Sequence, residues 1–235
     1  MSKALFLLPA LLLTLSCAEL QQVASQYPQI NTTISNADIA AGLKEALNNG
    51  ITKEVSKLTV TDGFYKNELV KILLPDELKK VDKTLRDLGM SSLADEGLKV
   101  LNRAAENAVK EATPIFVTAV KNMTFTDARN ILLGNDSSAT AYLQTTTSAQ
   151  LYSKFNPVVT SSLNKVGANK VWNQIITKYN AIPLVKKVNP DLNDYVTDQA
   201  MKGVFKMVAI EEKDIRNNLA ARTSDLLKRV FALQD

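Results

Sequence analysis

Apolar residues recur at every third or fourth position along most of the chain, which is the pattern of helices that bury one face. The first run begins near Asp38, and Gly50 in its middle is expected to weaken or divide the helix. The apolar positions of this run are Ile39, Leu43, Leu47, Ile51, Val55 and Leu58. No segment shows the strict alternation of apolar and polar residues that is typical of a half-buried strand.

Local start and stop signals bound the next helices. Pro75 followed by two acidic residues is typical of a helical first turn, and Gly89 suits the far end of that helix. The apolar stripe of this helix is predicted to be Leu78, Val81, Leu85 and Leu88. A long helix over Ser92–Ala112 is predicted to bury Leu93, Leu98, Leu101, Ala105, Ala108 and Val109.

The second half of the chain continues the helical pattern. Thr124 to Asp127 has the spacing of a capping box, and Pro157 is expected to end one helix before another begins. Long apolar stripes predict helices over Asp191–Asp214 and Thr223–Leu233. We therefore predict an all-α fold, an irregular bundle of roughly eight to ten helices without a substantial β-sheet, in which short connections make neighbouring helices antiparallel.

The N-terminus has the layout of an exported signal peptide. Lys3 precedes an apolar run of about a dozen residues, which is shorter than the roughly 20 that span a bilayer, and Ser16 and Cys17 follow. Thr14 to Cys17 resembles a bacterial lipobox, and Cys17 is the single cysteine of the chain. We predict a signal peptide over 1–16, a lipid-anchored tether over 17–36 and one all-α domain over 37–235, with Cys17 as the lipid attachment site. Since Ala18 is not aspartate, the sorting pattern resembles that of outer-membrane lipoproteins that face the periplasm.

Composition narrows the chemistry. The chain has no histidine, and Cys17 is its one thiol, so the commonest general base and the usual structural zinc ligands are missing. The eight glycines are scattered, and there is neither a phosphate-binding loop nor a nucleophile elbow. We predict no metal, no cofactor and no enzymatic activity, although carboxylate chemistry stays open. The net charge of +4 is too small to indicate a nucleic-acid partner.

Three groups of polar residues are candidate ligand-binding positions. Asn102 and Glu106 share one face of an alanine-rich helix, where they either line a pocket or form hydrogen bonds between helices. Asp127 and Arg129 open another helix, where Asp127 is expected to act first as a cap. Near the C-terminus Arg216 and Arg222 either form ion pairs or bind an anionic ligand through their planar donors.

A lysine-containing stretch lies between the second and the third of these groups. Residues 137–190 contain lysines and no acidic residue, with aromatic residues among them. The lysines are Lys154, Lys165, Lys170, Lys178, Lys186 and Lys187. The stretch either forms a cationic face for an anionic lipid or envelope polymer, or is an ordinary solvated face with its aromatic residues in the core.

Several segments resemble a known family in order and spacing. They are TDGFY at 61–65, ILLPDEL at 72–78, NRAAENA at 102–108, PIF at 114–116, DARNILLG at 127–134, SATAYLQTTT at 138–147 and EEKDIRNNLAARTSDLLKRVF at 211–231. The chain from about Asp38 onward resembles the bacterial envelope family catalogued as domain of unknown function 4197. The resemblance implies a predominantly helical periplasmic or lipoprotein domain, and it implies no activity.

Three functional hypotheses follow. The first is an envelope lipoprotein that binds a ligand or partner, without catalysis, in a groove between helices. The second is a scaffold or assembly protein of the cell envelope, which predicts a contiguous exposed apolar patch. The third is a carboxylate-based hydrolase, which predicts two carboxylates that converge in a cleft.

Overall fold

The computed structural model describes residues 34–74, 79–184, 186–189 and 191–235. The predicted signal peptide, the lipid attachment site Cys17 and the helix start at Pro75 lie outside these residues. Most of the predicted tether lies outside them as well. The division of the chain at residues 16 and 36 therefore stays a prediction.

The described residues form α-helices, and they contain no β-strand. The helices are α1 (Asn36–Thr59), α2 (Lys79–Asp87), α3 (Ser91–Val109), α4 (Ala112–Asn122), α5 (Phe125–Leu132), α6 (Ser138–Lys165), α7 (Ala168–Asn180), α8 (Leu192–Asn217) and α9 (Asp225–Phe231), with a short 3₁₀ helix at Leu219–Ala221. The predicted all-α class is confirmed. No helix in the described part of the chain is both long enough and apolar enough to cross a membrane.

Helices α3, α6 and α8 pack on one another and form the centre of the bundle. On one side α1 covers α8 and is itself flanked by α4, α5 and α9. On the other side α2 packs on α3, while α7 packs on α6 and α8. Several side chains in the first half of α3, at this edge of the bundle, are exposed.

Helix α1 is continuous through Gly50, so the predicted division there is wrong. Gly50 lies against α8, and a Cβ atom at this position would be 2.9 Å from Cγ of Glu211. The glycine costs helix propensity, but it lets α8 approach the backbone of α1 closely. Packing along the buried face of α1 maintains the helix on both sides of Gly50.

Helix α6 is also continuous where the sequence predicts an end, because Pro157 lies inside it. Proline removes one hydrogen bond from the helix and usually breaks or kinks it. Pro157 is exposed, and the buried face of α6 continues on both sides of it, with Phe155 before and Val159 after the proline. Burial of that face against α3 and α8 offsets the lost hydrogen bond.

The inward positions predicted for α3 are correct except at its start. Leu98, Leu101, Ala105, Ala108 and Val109 are buried, as predicted, whereas Leu93 is 55% exposed. Leu88, predicted in the apolar stripe of α2, is exposed as well. The surface near the junction of α2 and α3 is therefore more apolar than the helical pattern implied.

Candidate functional site

The first candidate pair, Asn102 and Glu106 on α3, binds the backbone of the segment between α1 and α2. The Asn102 side chain accepts a hydrogen bond from the Ile72 amide at 2.8 Å and donates to the carbonyls of Ile72 at 2.9 Å and Leu98 at 2.7 Å. Asn102 is fully buried. The pair therefore follows the second alternative of the sequence analysis, in which the two side chains form hydrogen bonds between parts of the fold.

Glu106 completes the same attachment. Its Oε1 accepts hydrogen bonds from the amides of Phe64 and Tyr65, at 3.1 and 3.4 Å. Its Oε2 accepts from Arg103 at 2.6 Å, and Arg103 also pairs with Asp62 at 2.7 Å. A hydrogen bond from Lys66, with Arg103 nearby, lowers the pKa of Asp62. The segment that follows α1 is thus held to α3 by buried polar groups.

The second pair lies at the start of α5. Asp127 and Thr124 form the predicted capping box, in which the Thr124 hydroxyl accepts from the Asp127 amide and the Asp127 carboxylate accepts from the Thr124 amide. The hydrogen bonds from Thr124 lower the pKa of Asp127. Arg129 is exposed on the same helix. The capping role predicted for Asp127 is confirmed.

Arg216 lies in a buried network with Glu212 on α8. Arg216 donates to Glu212 at 2.9 Å and to the carbonyls of Ile131 and Leu132 at the end of α5. Glu212 also accepts from two amides and one hydroxyl at the start of α6, at 2.8 Å each. The pair connects α5, α6 and α8 through their helix ends.

Arg222 is fixed in a different way. It is 2% exposed and donates to the carbonyls of Ile215 and Arg216 and to the side chain of Asp235. The hydrogen bond from Arg222 lowers the pKa of Asp235. Both arginines thus follow the ion-pair alternative.

The six candidate residues therefore lie in separate parts of the bundle, and the structure does not bring them together. Asn102 and Glu106 face the segment after α1, Asp127 and Arg129 lie on α5, and the two C-terminal arginines bind helix ends. All of them except Arg129 have hydrogen-bonded partners within the described residues. These residues therefore do not form a common ligand site.

The most apolar surface cavity of suitable size is a groove between α3 and α7, with a volume of about 320 Å³. Its walls come from the first half of α3, the turn between α6 and α7, the start of α7 and the start of α8, with Leu74 from the segment before α2. The side chains that line it include Leu93, Val100, Val166, Val171, Trp172 and Leu192. We call this cavity the α3–α7 groove.

Trp172 is the best-buried aromatic residue of the groove, at 6% exposure. Its ring stacks on Tyr195, with 6.0 Å between the ring centroids and 17° between the planes, and the Tyr195 hydroxyl donates to the Leu73 carbonyl. The buried indole N–H of Trp172 has no hydrogen-bond partner among the described residues. An unpaired buried donor is costly, and a bound polar atom would relieve that cost.

A polar cleft of about 340 Å³ adjoins the α3–α7 groove. The two cavities share Val100 and Val166 in their walls. The polar residues that line the cleft are Glu96, Lys99, Arg103, Asn107, Ser162 and Lys165. The apolar groove therefore lies beside a cavity in whose wall three cations outnumber one carboxylate. We call the second cavity the cationic cleft.

Two further carboxylates, Glu54 and Glu211, bear on the hydrolase hypothesis. They lie between α1 and α8, paired with Lys57 at 2.5 Å and Lys53 at 2.6 Å. Burial raises the pKa of Glu54, and nearby Glu211 acts in the same direction. The cavity beside Glu211 holds only about 20 Å³, which is the space of one water molecule. In the described part of the chain no three acidic or sulfur-bearing side chains cluster as a metal site would need.

Sequence reasoning missed the α3–α7 groove. Leu93 has the spacing of a core residue but is 55% exposed, whereas Trp172 is buried like a core residue but has an unpaired indole N–H. Gly97 is the residue whose identity marks the groove in the sequence, because glycine is unfavourable inside a helix. At this position a Cβ atom would meet nothing within 4 Å, because the residue faces the open groove.

Comparison with known proteins assigns the chain to a family without assigning an activity. No curated protein and no solved structure matches it. A family model described as a protein of unknown function, DUF4197, matches residues 33–232. The match covers most of the chain and agrees with the resemblance noted in its sequence segments. The chain therefore belongs to the DUF4197 family.

Proposed function

We propose that the protein is a non-enzymatic binding domain of the bacterial cell envelope, and that the α3–α7 groove binds the hydrocarbon chain of a lipid. The observation that carries the proposal is an apolar groove of about 320 Å³ with apolar side chains exposed along its walls. Ligand sites for small molecules commonly have volumes of about 300–1,000 Å³ and are mostly apolar.

The exposed walls supply the driving force. Leu93, Val166 and Val171 are between 55 and 60% exposed, although each is a residue type usually found in a core. Covering apolar surface is worth roughly 25 cal/mol per Å². A hydrocarbon chain suits the groove, because its walls present few polar groups.

Gly97 provides a direct test of the groove. Replacing Gly97 by leucine is expected to place a side chain in the groove and to weaken binding of a neutral monoacylglycerol at least about tenfold, which corresponds to about 1.4 kcal/mol. Gly97→Ala is the matched control, since it adds one methyl group, retains binding and stabilises α3 by about 0.5–1 kcal/mol. Trp172 is the single tryptophan of the chain, so its fluorescence reports occupancy.

The titration is best made on the full chain carrying Cys17→Ser, so that no acyl group attached to the chain competes for the groove. Addition of monoacylglycerol is expected to shift the Trp172 emission and to saturate. An absence of any shift, or equal affinity in Gly97→Leu and Gly97→Ala, would show that the groove does not take a hydrocarbon chain.

The envelope location rests on the N-terminal pattern. We propose that Cys17 is lipidated after removal of residues 1–16, and that the domain faces the periplasm from the outer membrane. More than one acyl chain on the N-terminus would suffice for stable anchoring. None of the described helices is suited to cross a membrane, so the attachment would come from the lipid.

Cys17→Ser is expected to abolish incorporation of radiolabelled fatty acid and to move the protein from the membrane fraction to the periplasmic extract. Thr14→Leu, which brings the segment closer to the common lipobox, is expected to retain both labelling and membrane attachment. The anchor is refuted if the wild-type chain takes up no label, or if Cys17→Ser stays in the membrane fraction.

One observation favours the scaffold hypothesis as a second candidate. Leu88, Met90 and Leu93 are all exposed near the junction of α2 and α3. Exposed apolar side chains that lie together are typical of a surface that a protein partner covers. The two candidates differ in what Gly97→Leu does. Filling the groove would exclude a lipid chain, but it would add apolar surface to a docking face and leave partner binding intact.

A further inference from the structure

We propose that the lipid bound in the α3–α7 groove carries one phosphate headgroup, and that Lys99 and Lys165 bind that phosphate in the cationic cleft. The inference rests on the proposed function, because it names the class of lipid for the same site. It starts from the position of the two cavities, which lie side by side and share Val100 and Val166 in their walls. A ligand that fills both would be apolar at one end and polar at the other.

The charges in the wall of the cationic cleft indicate the charge of the ligand's polar end. Its wall contains three cations, Lys99, Arg103 and Lys165, and one carboxylate, Glu96. Arg103 is already paired, with Asp62 at 2.7 Å and with Glu106 at 2.6 Å. Neither Lys99 nor Lys165 forms an ion pair with any described residue.

The two lysines approach the cleft from different helices. Lys99 lies on α3 two residues after Gly97, and Lys165 is the last residue of α6, beside the turn that forms part of the groove wall. Two ammonium groups on facing elements can share one phosphate, which offers several acceptor oxygens. Ser162 and Asn107 add neutral donors to the same wall.

One lysine of the lysine-containing stretch, Lys165, lies in the wall of the cationic cleft. Lys154 and Lys170, which belong to the same stretch and are exposed like Lys165, line neither cavity. A general attraction of the stretch to anionic surfaces would depend on its total charge. Binding of one headgroup depends on Lys165 and Lys99 in particular, and this difference makes the proposal testable.

The test compares two single-chain lipids with identical acyl chains, lysophosphatidylglycerol and the uncharged monoacylglycerol, below their critical micelle concentrations. The full chain carrying Cys17→Ser is titrated and Trp172 emission is followed. The unsubstituted cleft is expected to bind lysophosphatidylglycerol at least about tenfold more tightly than monoacylglycerol. The preference is expected to shrink in high salt.

The double substitution Lys99→Gln and Lys165→Gln is expected to remove this preference while leaving the affinity for monoacylglycerol unchanged. Lys154→Gln with Lys170→Gln removes the same total charge outside the cleft and is expected to retain the preference. Lysophosphatidylcholine, whose headgroup is zwitterionic, is expected to bind less tightly than lysophosphatidylglycerol.

The outcomes separate the inference from the proposed function. If monoacylglycerol binds but lysophosphatidylglycerol binds no better, the headgroup site is refuted and the apolar groove stands. If both double variants lose the preference equally, the attraction comes from overall charge and the headgroup site is again refuted. If neither lipid changes Trp172 emission, the proposed function itself fails.

Discussion

Replacing Glu212 by alanine is expected to lower the free energy of unfolding by about 3–5 kcal/mol, which is the cost of leaving a buried charge without its partner. Glu212 and Arg216 are both less than a tenth exposed, and their side chains are 2.9 Å apart. Without the carboxylate, the guanidinium of Arg216 would stay buried with only the carbonyls of Ile131 and Leu132 as acceptors.

Replacing Glu212 by alanine also removes contacts with helix α6. Glu212 accepts hydrogen bonds from the amides of Ala139 and Thr140, in the first turn of α6. These amides have no partner within their own helix, so a carboxylate at the N-terminus of α6 satisfies them and complements the helix dipole. Alanine at 212 would leave two buried donors unpaired as well as one cation.

Equilibrium unfolding in urea measures this effect. Lys213→Ala, at the exposed neighbouring position, is the matched control and is expected to change the free energy by less than about 0.5 kcal/mol. The double variant Glu212→Leu with Arg216→Met removes both charges and is expected to be more stable than Glu212→Ala. If Glu212→Ala and Lys213→Ala unfold at the same urea concentration, the network of Glu212 and Arg216 does not stabilise the fold.

The local features of the fold could be predicted from the sequence because their causes are local. The periodicity of α3 and the capping box of Thr124 and Asp127 each depend on residues within a few positions of one another. Gly50 and Pro157 are also local signals, but the division considered at Gly50 and the helix end predicted at Pro157 do not occur. Contacts with α8 outweigh both, and those contacts join residues far apart in the chain.

The candidate site could be predicted only in part, for the same reason. The sequence marks Asn102 and Arg216 as polar residues in apolar surroundings, but the backbone groups that they bind at Ile72 and Ile131 are 30 and 85 positions away. Nothing in the sequence distinguishes a polar group that binds a backbone from one that binds a ligand. The α3–α7 groove was missed because Leu93 has the spacing of a core residue, yet none of the described helices covers it.

The attachment of the segment after α1 to α3 leads to the second prediction. Replacing Asn102 by alanine is expected to lower the free energy of unfolding by about 2–4 kcal/mol, since each unpaired buried backbone group costs about 1–3 kcal/mol. The Ile72 amide and carbonyl would both lose their partner, and Ile72 is almost completely buried. Water cannot reach these groups unless the segment moves away from α3.

Hydrogen exchange distinguishes this local effect from general destabilisation. In Asn102→Ala the amide of Ile72 is expected to exchange faster than the reduced global stability accounts for, because its acceptor is gone. The amides in the buried middle of α8 are expected to follow global stability alone. Asn107→Ala, one turn further along α3 and exposed, is the control and is expected to change stability by less than about 0.5 kcal/mol.

Two results would contradict the role of Asn102. One is an Asn102→Ala variant with the stability of Asn107→Ala, which would mean that water or another group replaces the amide side chain at no cost. The other is an unchanged exchange rate at Ile72 relative to α8, which would mean that the segment is held by its apolar contacts alone. The segment leads to Leu74 in the wall of the α3–α7 groove, so its release in Asn102→Ala is also expected to weaken lipid binding there.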